Sequence, residues 1–468
     1  MKRQLISSAL ALSLIFGGAA ALPESITPQS SIVAQAKSIR SGDYKYSLLK
    51  DGTAKIVKYK GIKTEVKIPS KIDGKKVTMI GQYAFSGNEK IKKVTIPKGV
   101  TKIGNSAFSE CTFLKSVTIP KGVTAICQNA FCDCNDLKTV KIPSSVKSIE
   151  MGAFYGTKWL KDQQKKNPLV IVNNILLDAA TCKGNVTIPN GVTKIADIAF
   201  SGCTGIRSVE IPNGVTKIGI AAFSRCTNLR SVKIPNGVTK IGPDAFSGCT
   251  NLRSVTIPKS VTSIDFCAFS GCKSLKSVKI PNGITKIELS TFAACSSLKS
   301  VTIPKSVTEI DIYAFDSCTS LKSITIPKSV KKIGHNAFNN TKWLKDQQKK
   351  NPLVVVNGIL IDGTKCKGNV TIPKSVKSIN DGAFGAFMEI NNHNTSLKSV
   401  KIQSGVKSIG SMAFSECSNL KTVTIPKSVK TIGDNAFFGC HKNLTIKTPK
   451  GSAAAKYAKK NGIKVKYI

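Results

Sequence analysis

The chain is poor in acids, aromatics and histidine. Its 468 residues carry 26 Asp and Glu against 70 Lys and Arg, a formal net charge of +44. Aromatics make up 6% of the residues, with two Trp and three His. The acids do not recur at a fixed position, so no carboxylate pair of the kind that cleaves glycosides is visible. His335, His393 and His441 lie far apart and fit no catalytic or metal-ligand spacing, which reads as surface or turn histidines. A phosphate-cradling Gly-rich loop and a nucleophile elbow are both missing. Beyond the first residues, no run reaches the ~18 apolar residues that a membrane span requires. No Leu-Pro-x-Thr-Gly sorting motif stands near the C-terminus. The expectation is a chain that is not an enzyme, with no catalytic residues, no cofactor and no metal.

Hydrophobic residues are 41% of the chain, enough for a large core, and with few aromatics that core is built mostly from Val, Ile and Leu. Residues 1–36 read as an export signal: Lys2 and Arg3, then an apolar stretch from Leu5 to Leu22 ended by Pro23. Ala19-Ala20-Ala21 and Ala34-Gln35-Ala36 both offer small-x-small cleavage sites, and cleavage after Ala36 is the preferred reading. A retained N-terminal anchor is the competing one.

Self-similarity dominates the rest. Val-Thr-Ile-Pro at Val94 returns at Val117 and Val140, then through Val186, Val209, Val232, Val255, Val278, Val301 and Ile324 at intervals of 23 residues. Further copies begin at Val66, Val370, Val400 and Val423. Val255 and Ile257 alternate with Thr256, the period of a short strand with one buried face. Pro258 lacks an amide donor and ends it. Val261 and Ile264 turn inward on a second extended stretch, Ala268-Phe269 fill the interior from a short helical or turn segment, and Ser270-Gly271 supply a turn. One such coil cannot bury these residues on itself, but stacked coils can, with their strands in parallel sheets.

Two intervals, Val140 to Val186 and Ile324 to Val370, span 46 residues and hold the same Thr-Lys-Trp-Leu-Lys-Asp-Gln-Gln-Lys-Lys-Asn-Pro-Leu-Val, at 157–170 and 341–354. The copies are 184 residues apart, eight times 23, which implies duplication of an eight-coil block with one double-length coil in each. Trp159 and Trp343 recur there at a fixed position, as packing residues do. Smaller insertions fall at Asp73–Lys76 and Met388–Asn394. At the ends, alternation on both sides of Asp51-Gly52 predicts a hairpin. Ser452 to Lys460 reads as a short helix and Ile463 to Tyr467 as a last strand, covering a sheet end that could otherwise pair with another molecule. The organisation expected is a signal peptide at 1–36, a hairpin cap at 37–65, a solenoid at 66–446 and a C-terminal cap at 447–468.

Ten of the fifteen Cys occupy one repeat column: Cys111, Cys134, Cys203, Cys226, Cys249, Cys272, Cys295, Cys318, Cys417 and Cys440. Stacked at the ~4.8 Å spacing of paired strands, with parallel side chains, they are better suited to free, buried thiols than to disulfides. Polar residues also form columns. The outward residue between Val and Ile is Thr in eight coils, Glu at Glu210, and Lys at Lys67, Lys141, Lys233, Lys279 and Lys401. A second Lys-rich column holds Lys102, Lys194, Lys217, Lys240 and Lys286. Such ladders favour an anionic partner, and the five outward lysines are the candidate ligand-binding residues. The competing reading is a solvated face tuned for solubility. Nucleic acid is not expected as a partner: the bases are overwhelmingly Lys and no aromatics are interleaved with them.

The unit Leu-x-x-Val-x-Ile-Pro-x-x-Val-x-x-Ile-x-x-x-Ala-Phe-x-x-Cys, repeated over residues 43–468, resembles the BspA-like leucine-rich repeats of bacterial surface proteins. It departs from the common leucine-rich consensus in placing Pro after the strand and in lacking an Asn ladder. The resemblance implies a β-rich leucine-rich-repeat solenoid of 23-residue coils, stacked into parallel sheets with short helical turns and capped at both ends. It also implies extracellular adhesion, in some members to host matrix glycoproteins or host receptors; taken with the lysine columns, the expectation is a secreted or cell-surface adhesin for a host extracellular glycoprotein or acidic glycan. The alternative is a structural protein held by charge to anionic wall polymers. No site residue carries over from the family.

Overall fold

The computed structural model describes residues 38–385 and 394–468. The export signal expected at 1–36 and most of the Met388–Asn394 insertion lie outside them. Within them the chain is a β-solenoid with two ribbons of very short parallel strands.

Each coil adds about three residues to a first ribbon and two to a second. In the coil quoted above these are Ser254–Thr256 and Ser263–Ile264. Neighbouring coils pair in register, Val232 with Val255 and Ile241 with Ile264, so every inward residue meets its counterpart 23 residues away. The interior is apolar: Val261, Ala268, Phe269 and Leu275 are all fully buried. Between the second ribbon and the next coil the chain runs through turns, with two left-handed residues in many coils. One is the residue before Ala-Phe, as at Asn129 (φ 55°), Asp244 (φ 53°) and Asn336 (φ 54°). The same position holds Ile198 at φ 57°, where a β-branched side chain is strained. Ile198→Asn is therefore expected to stabilise the protein by roughly 1 kcal/mol, read as a higher denaturation midpoint; a lower midpoint would mean that the isoleucine packing outweighs the strain.

The Phe of each coil stacks on the next. From Phe200 through Phe223, Phe246, Phe269, Phe292 and Phe315 to Phe338, ring centroids are 4.7–5.7 Å apart and the planes lie within 16°. An earlier stack runs from Phe85 to Phe154 and a later one from Phe384 to Phe437.

The two double-length intervals separate these stacks, and they are not lengthened coils. Each is a helix followed by a hairpin. Helix α1 (Lys158–Lys166) and helix α2 (Lys342–Lys350) begin at Thr157 and Thr341, whose hydroxyls accept the N–H of Leu160 and Leu344. Trp159 and Trp343 tilt onto Phe154 and Phe338 at 4.8 and 4.9 Å and close the stacks. The hairpins follow, Val170–Val172 with Ile175–Asp178 and Val354–Val356 with Ile359–Asp362. Asn173 and Asn174 (φ 48° and 64°), and Asn357 and Gly358 (φ 51° and 82°), make two-residue turns of the kind whose twist suits a hairpin. In both, the second strand pairs in parallel with the next coil.

The chain ends repeat this construction. The hairpin Tyr44–Leu48 with Ala54–Tyr59 leads into the first coil. Helix α3 (Ala453–Lys460), capped by Ser452, sets Tyr457 against Phe437 at 5.9 Å. The solenoid is thus three blocks in tandem, each opened by a hairpin and closed by a helix carrying an aromatic lid. At the internal junctions the strand ladder stops, and Asn side chains bridge it. Asn173 donates to Pro143 and Val146 oxygens at 2.7 and 3.0 Å, and Asn357 to Pro327 and Val330 oxygens at 2.8 and 3.0 Å.

Of the insertions, Asp73–Lys76 forms a small antiparallel pair, Lys71–Ile72 with Lys75–Lys76. Asn394 closes the other, its amide donating to Gly363 and Cys366 oxygens. Among the described residues no helix is long and apolar enough to cross a membrane.

Candidate binding face

The strand alternation that buries Val and Ile drives the intervening side chain outward, and Lys67, Lys141, Lys233, Lys279 and Lys401 are all exposed on the first ribbon. They are not neighbours. Thr95 and Thr118 lie between Lys67 and Lys141, Thr256 follows Lys233, and Thr371 and Thr424 flank Lys401. Lys233 is also engaged: its ammonium sits 2.9 Å from Glu210 on the preceding coil, and that carboxylate holds its pKa above the usual lysine value.

A continuous basic row lies beside this column, one residue after each Leu (or Ile206). In the central block it reads Arg207, Arg230, Arg253, Lys276, Lys299 and Lys322, all exposed. From Arg230 to Lys322 each residue's backbone N–H donates to the carbonyl of its counterpart one coil earlier, at 2.8–3.2 Å, so the row is fixed to the strand stacking. Among the described residues none of these six side chains is in an ion pair. Lys92, Lys115 and Lys138 occupy the same place in the first block, and Lys398 and Lys421 in the third. Sequence inspection misses this row because two polar residues separate Leu from Val, which breaks the alternation that would tell which of them faces out. The signal available was the invariant positive charge after Leu.

The second ribbon differs. There the lysine column is interleaved with acids: Lys240 pairs with Asp265 at 2.8 Å, and Lys332 with Glu309 at 2.9 Å. Lys286 gathers Asp311, Glu288 and Glu309 at 2.7, 3.0 and 3.6 Å. These three carboxylates surround one ammonium. Among the described residues no group of His, Cys, Asp and Glu converges in metal-holding geometry.

His335 lies in a turn, one of the two places expected of the histidines, but it is 5% exposed and so is not a surface residue. It lies in the coil before α2, and its ring reaches across the junction to place Nδ1 2.9 Å from the Asp381 carbonyl oxygen. Gly382 leaves room for the ring, which a Cβ there would strike. Burial pushes the imidazole pKa below its usual value. His441 is half-buried in a turn, its Nδ1 accepting the Asn443 N–H, and His393 lies outside the described residues.

The column cysteines are buried, with Cys440 partly so. Their thiols donate to the Phe carbonyl of the preceding coil, as Cys134 does to Phe108 at 2.9 Å and Cys249 to Phe223 at 3.0 Å, except that Cys203, which follows a hairpin, donates to the Cys182 carbonyl at 3.2 Å. Burial pushes Cys272 up to about 12 and raises Cys417 and Cys440 as well. A thiol so held is a poor nucleophile. Native protein is therefore expected to resist alkylation at pH 8, and denaturation without reductant to release close to all fifteen thiols. Finding most of them paired would refute the free-thiol ladder.

The sequence pattern described as the BspA type leucine rich repeat region matches residues 59–176, 180–272, 239–358 and 392–458. Similar solved structures include a leucine-rich repeat protein from Bacteroides ovatus, 25% identical, covering 92% of this chain and 99% of that one with a TM-score of 0.36. A leucine rich cell surface protein from Faecalibacterium prausnitzii is 26% identical over 90% of this chain and 97% of its own, with a TM-score of 0.34. A leucine-rich repeat protein from Eubacterium ventriosum is 26% identical over 65% and 95%, with a TM-score of 0.42. No curated protein matches the chain. With the family pattern recurring over most of its length, this chain belongs to the BspA-type leucine-rich repeat family.

Proposed function

We propose that the protein is a non-enzymatic binding protein that acts outside the cell, where its first ribbon engages an acidic extracellular glycoprotein or glycan. One observation carries the reading: in the central block the first ribbon presents Lys233 and Lys279, and the turns that follow its strands present Lys259, Lys305 and Lys328, beside the six-residue basic row, with Glu210 as the single carboxylate among these columns. Charges stacked along a solenoid raise the local potential and attract long anions more than small ones. Lys67, Lys141, Lys233, Lys279 and Lys401 are proposed as contacts on this face.

The test is a binding screen of residues 37–468 against matrix glycoproteins and sulfated glycans across a salt series. Binding should weaken steeply as salt rises, by analogy with counterion release from nucleic acids. Lys233→Thr with Lys279→Thr keeps the strand type and should lower affinity without altering the fold. Absence of salt-sensitive binding to every acidic partner would overturn the reading. The net charge of +44 also favours the second one, retention on anionic wall polymers. Washing cells with concentrated salt separates them: release with no loss of host binding by the cells supports wall retention.

A further inference from the structure

We infer that Arg207, Arg230 and Arg253 form the centre of a track for a linear sulfated glycan, running along the solenoid axis and continued by Lys276, Lys299 and Lys322. The inference rests on the proposed binding role and names its ligand chemistry and its residues.

Composition points to this place. The chain has only six arginines among its 70 basic residues, and three of them occupy consecutive coils of one column. Their backbones are joined by hydrogen bonds of 2.8 Å from Arg230 to Arg207 and 3.1 Å from Arg253 to Arg230, so the three guanidinium groups start from points one strand spacing apart. A guanidinium presents a flat fork of donors that grips two oxygens of one oxoanion, whereas an ammonium acts as a point charge. Three forks in line suit a polymer with one oxoanion per repeating unit.

The surroundings narrow the polymer. Six row residues at ~4.8 Å per coil make a track of about 24 Å. A pyranose unit is comparable in length to one such step, so successive sulfated sugars can meet successive coils. The next column inward is Ser208, Ser231, Ser254, Ser277, Ser300 and Ser323, which places a hydroxyl beside each charge to meet sugar hydroxyls. In the central block the columns along this ribbon hold no aromatic side chain on which a nucleobase could stack. In the central block these columns carry one carboxylate, Glu210, whose oxygen is taken by Lys233.

The experiment titrates a heparin decasaccharide against the full exported chain and three triple variants, each first shown to melt like the parent. Changing Arg207, Arg230 and Arg253 together to Gln should weaken binding at least ~10-fold. Changing the same three to Lys keeps the charge and removes the fork, and should weaken binding ~3-fold with an unchanged salt slope. Changing Lys102, Lys194 and Lys217 to Gln removes the same charge from the second ribbon and should cost less than ~2-fold. Equal losses from the two Gln triples would overturn the track in favour of a general field. Equal affinity of the Lys triple and the parent would overturn the role of the forks. A parent that ignores the decasaccharide yet binds an acidic glycoprotein in a salt-sensitive way would overturn this inference and leave the broader proposal standing.

Discussion

Deleting residues 209–231 is expected to give a folded solenoid one coil shorter, whereas deleting residues 209–220 should unfold the coils on either side. The first deletion rejoins Ser208 to Val232. Val209 and Val232 are already partners in register, so the strand above simply meets the strand two coils on. Stability in such an array is close to a sum of coil and neighbour terms, and one term of each kind is lost. The second deletion rejoins Ser208 to Ala221. It removes the buried Val209, Ile211, Val215 and Ile218 while keeping Ala222 and Phe223, which then have no strand behind them. At ~1.5–3 kcal/mol for each buried aliphatic side chain, about 6–12 kcal/mol of burial disappears. That is comparable with the whole stability of an ordinary domain. Circular dichroism and urea denaturation would read the difference, and equal midpoints for the two deletions would contradict the coil register.

Phe246→Ala is expected to cost about 3–5 kcal/mol, among the largest effects of any single substitution in this chain. Phe246 is fully buried, with the rings of Phe223 and Phe269 at 5.1 and 5.3 Å on its two faces. Truncation leaves a cavity in the middle of the longest stack and removes a partner from each neighbour. Phe246→Leu keeps most of the volume and should cost less than ~1.5 kcal/mol. Urea midpoints would rank the two, and an Ala variant no weaker than the Leu variant would show that the ring column is not what holds the coils together. The block boundaries add a spatial expectation. Because Trp159 and Trp343 close the stacks, hydrogen exchange in the Ala variant should rise across residues 170–350 and leave the flanking blocks protected. Acceleration spread evenly over the chain would mean that the junctions do not insulate the blocks.

The sequence by itself determined the coil: its 23-residue period, which residues face inward, where Pro ends the strand, and the alignment of Cys and Phe in columns. These are legible because period-2 alternation and an exact repeat leave one register in which the aliphatic side chains are buried. Tertiary structure alone decided what the 46-residue intervals are. Their length fits two coils, but Thr157 and Thr341 start helices there, and only the packing shows Trp159 and Trp343 acting as lids on a stack whose next ring is missing. It decided His335 as well, since the Asp381 carbonyl and the space beside Gly382 come from a neighbouring block 46 residues on. It also separated the two lysine-rich ribbons. Composition counts Lys233, Lys240 and Lys286 as equal charges, yet pairing with Glu210, Asp265 and Asp311 depends on which side chains the coil stacking brings within reach. Among the described residues the side chains of the row from Arg207 to Lys322 are in no ion pair, and Glu210, the one carboxylate beside them in the central block, is held by Lys233.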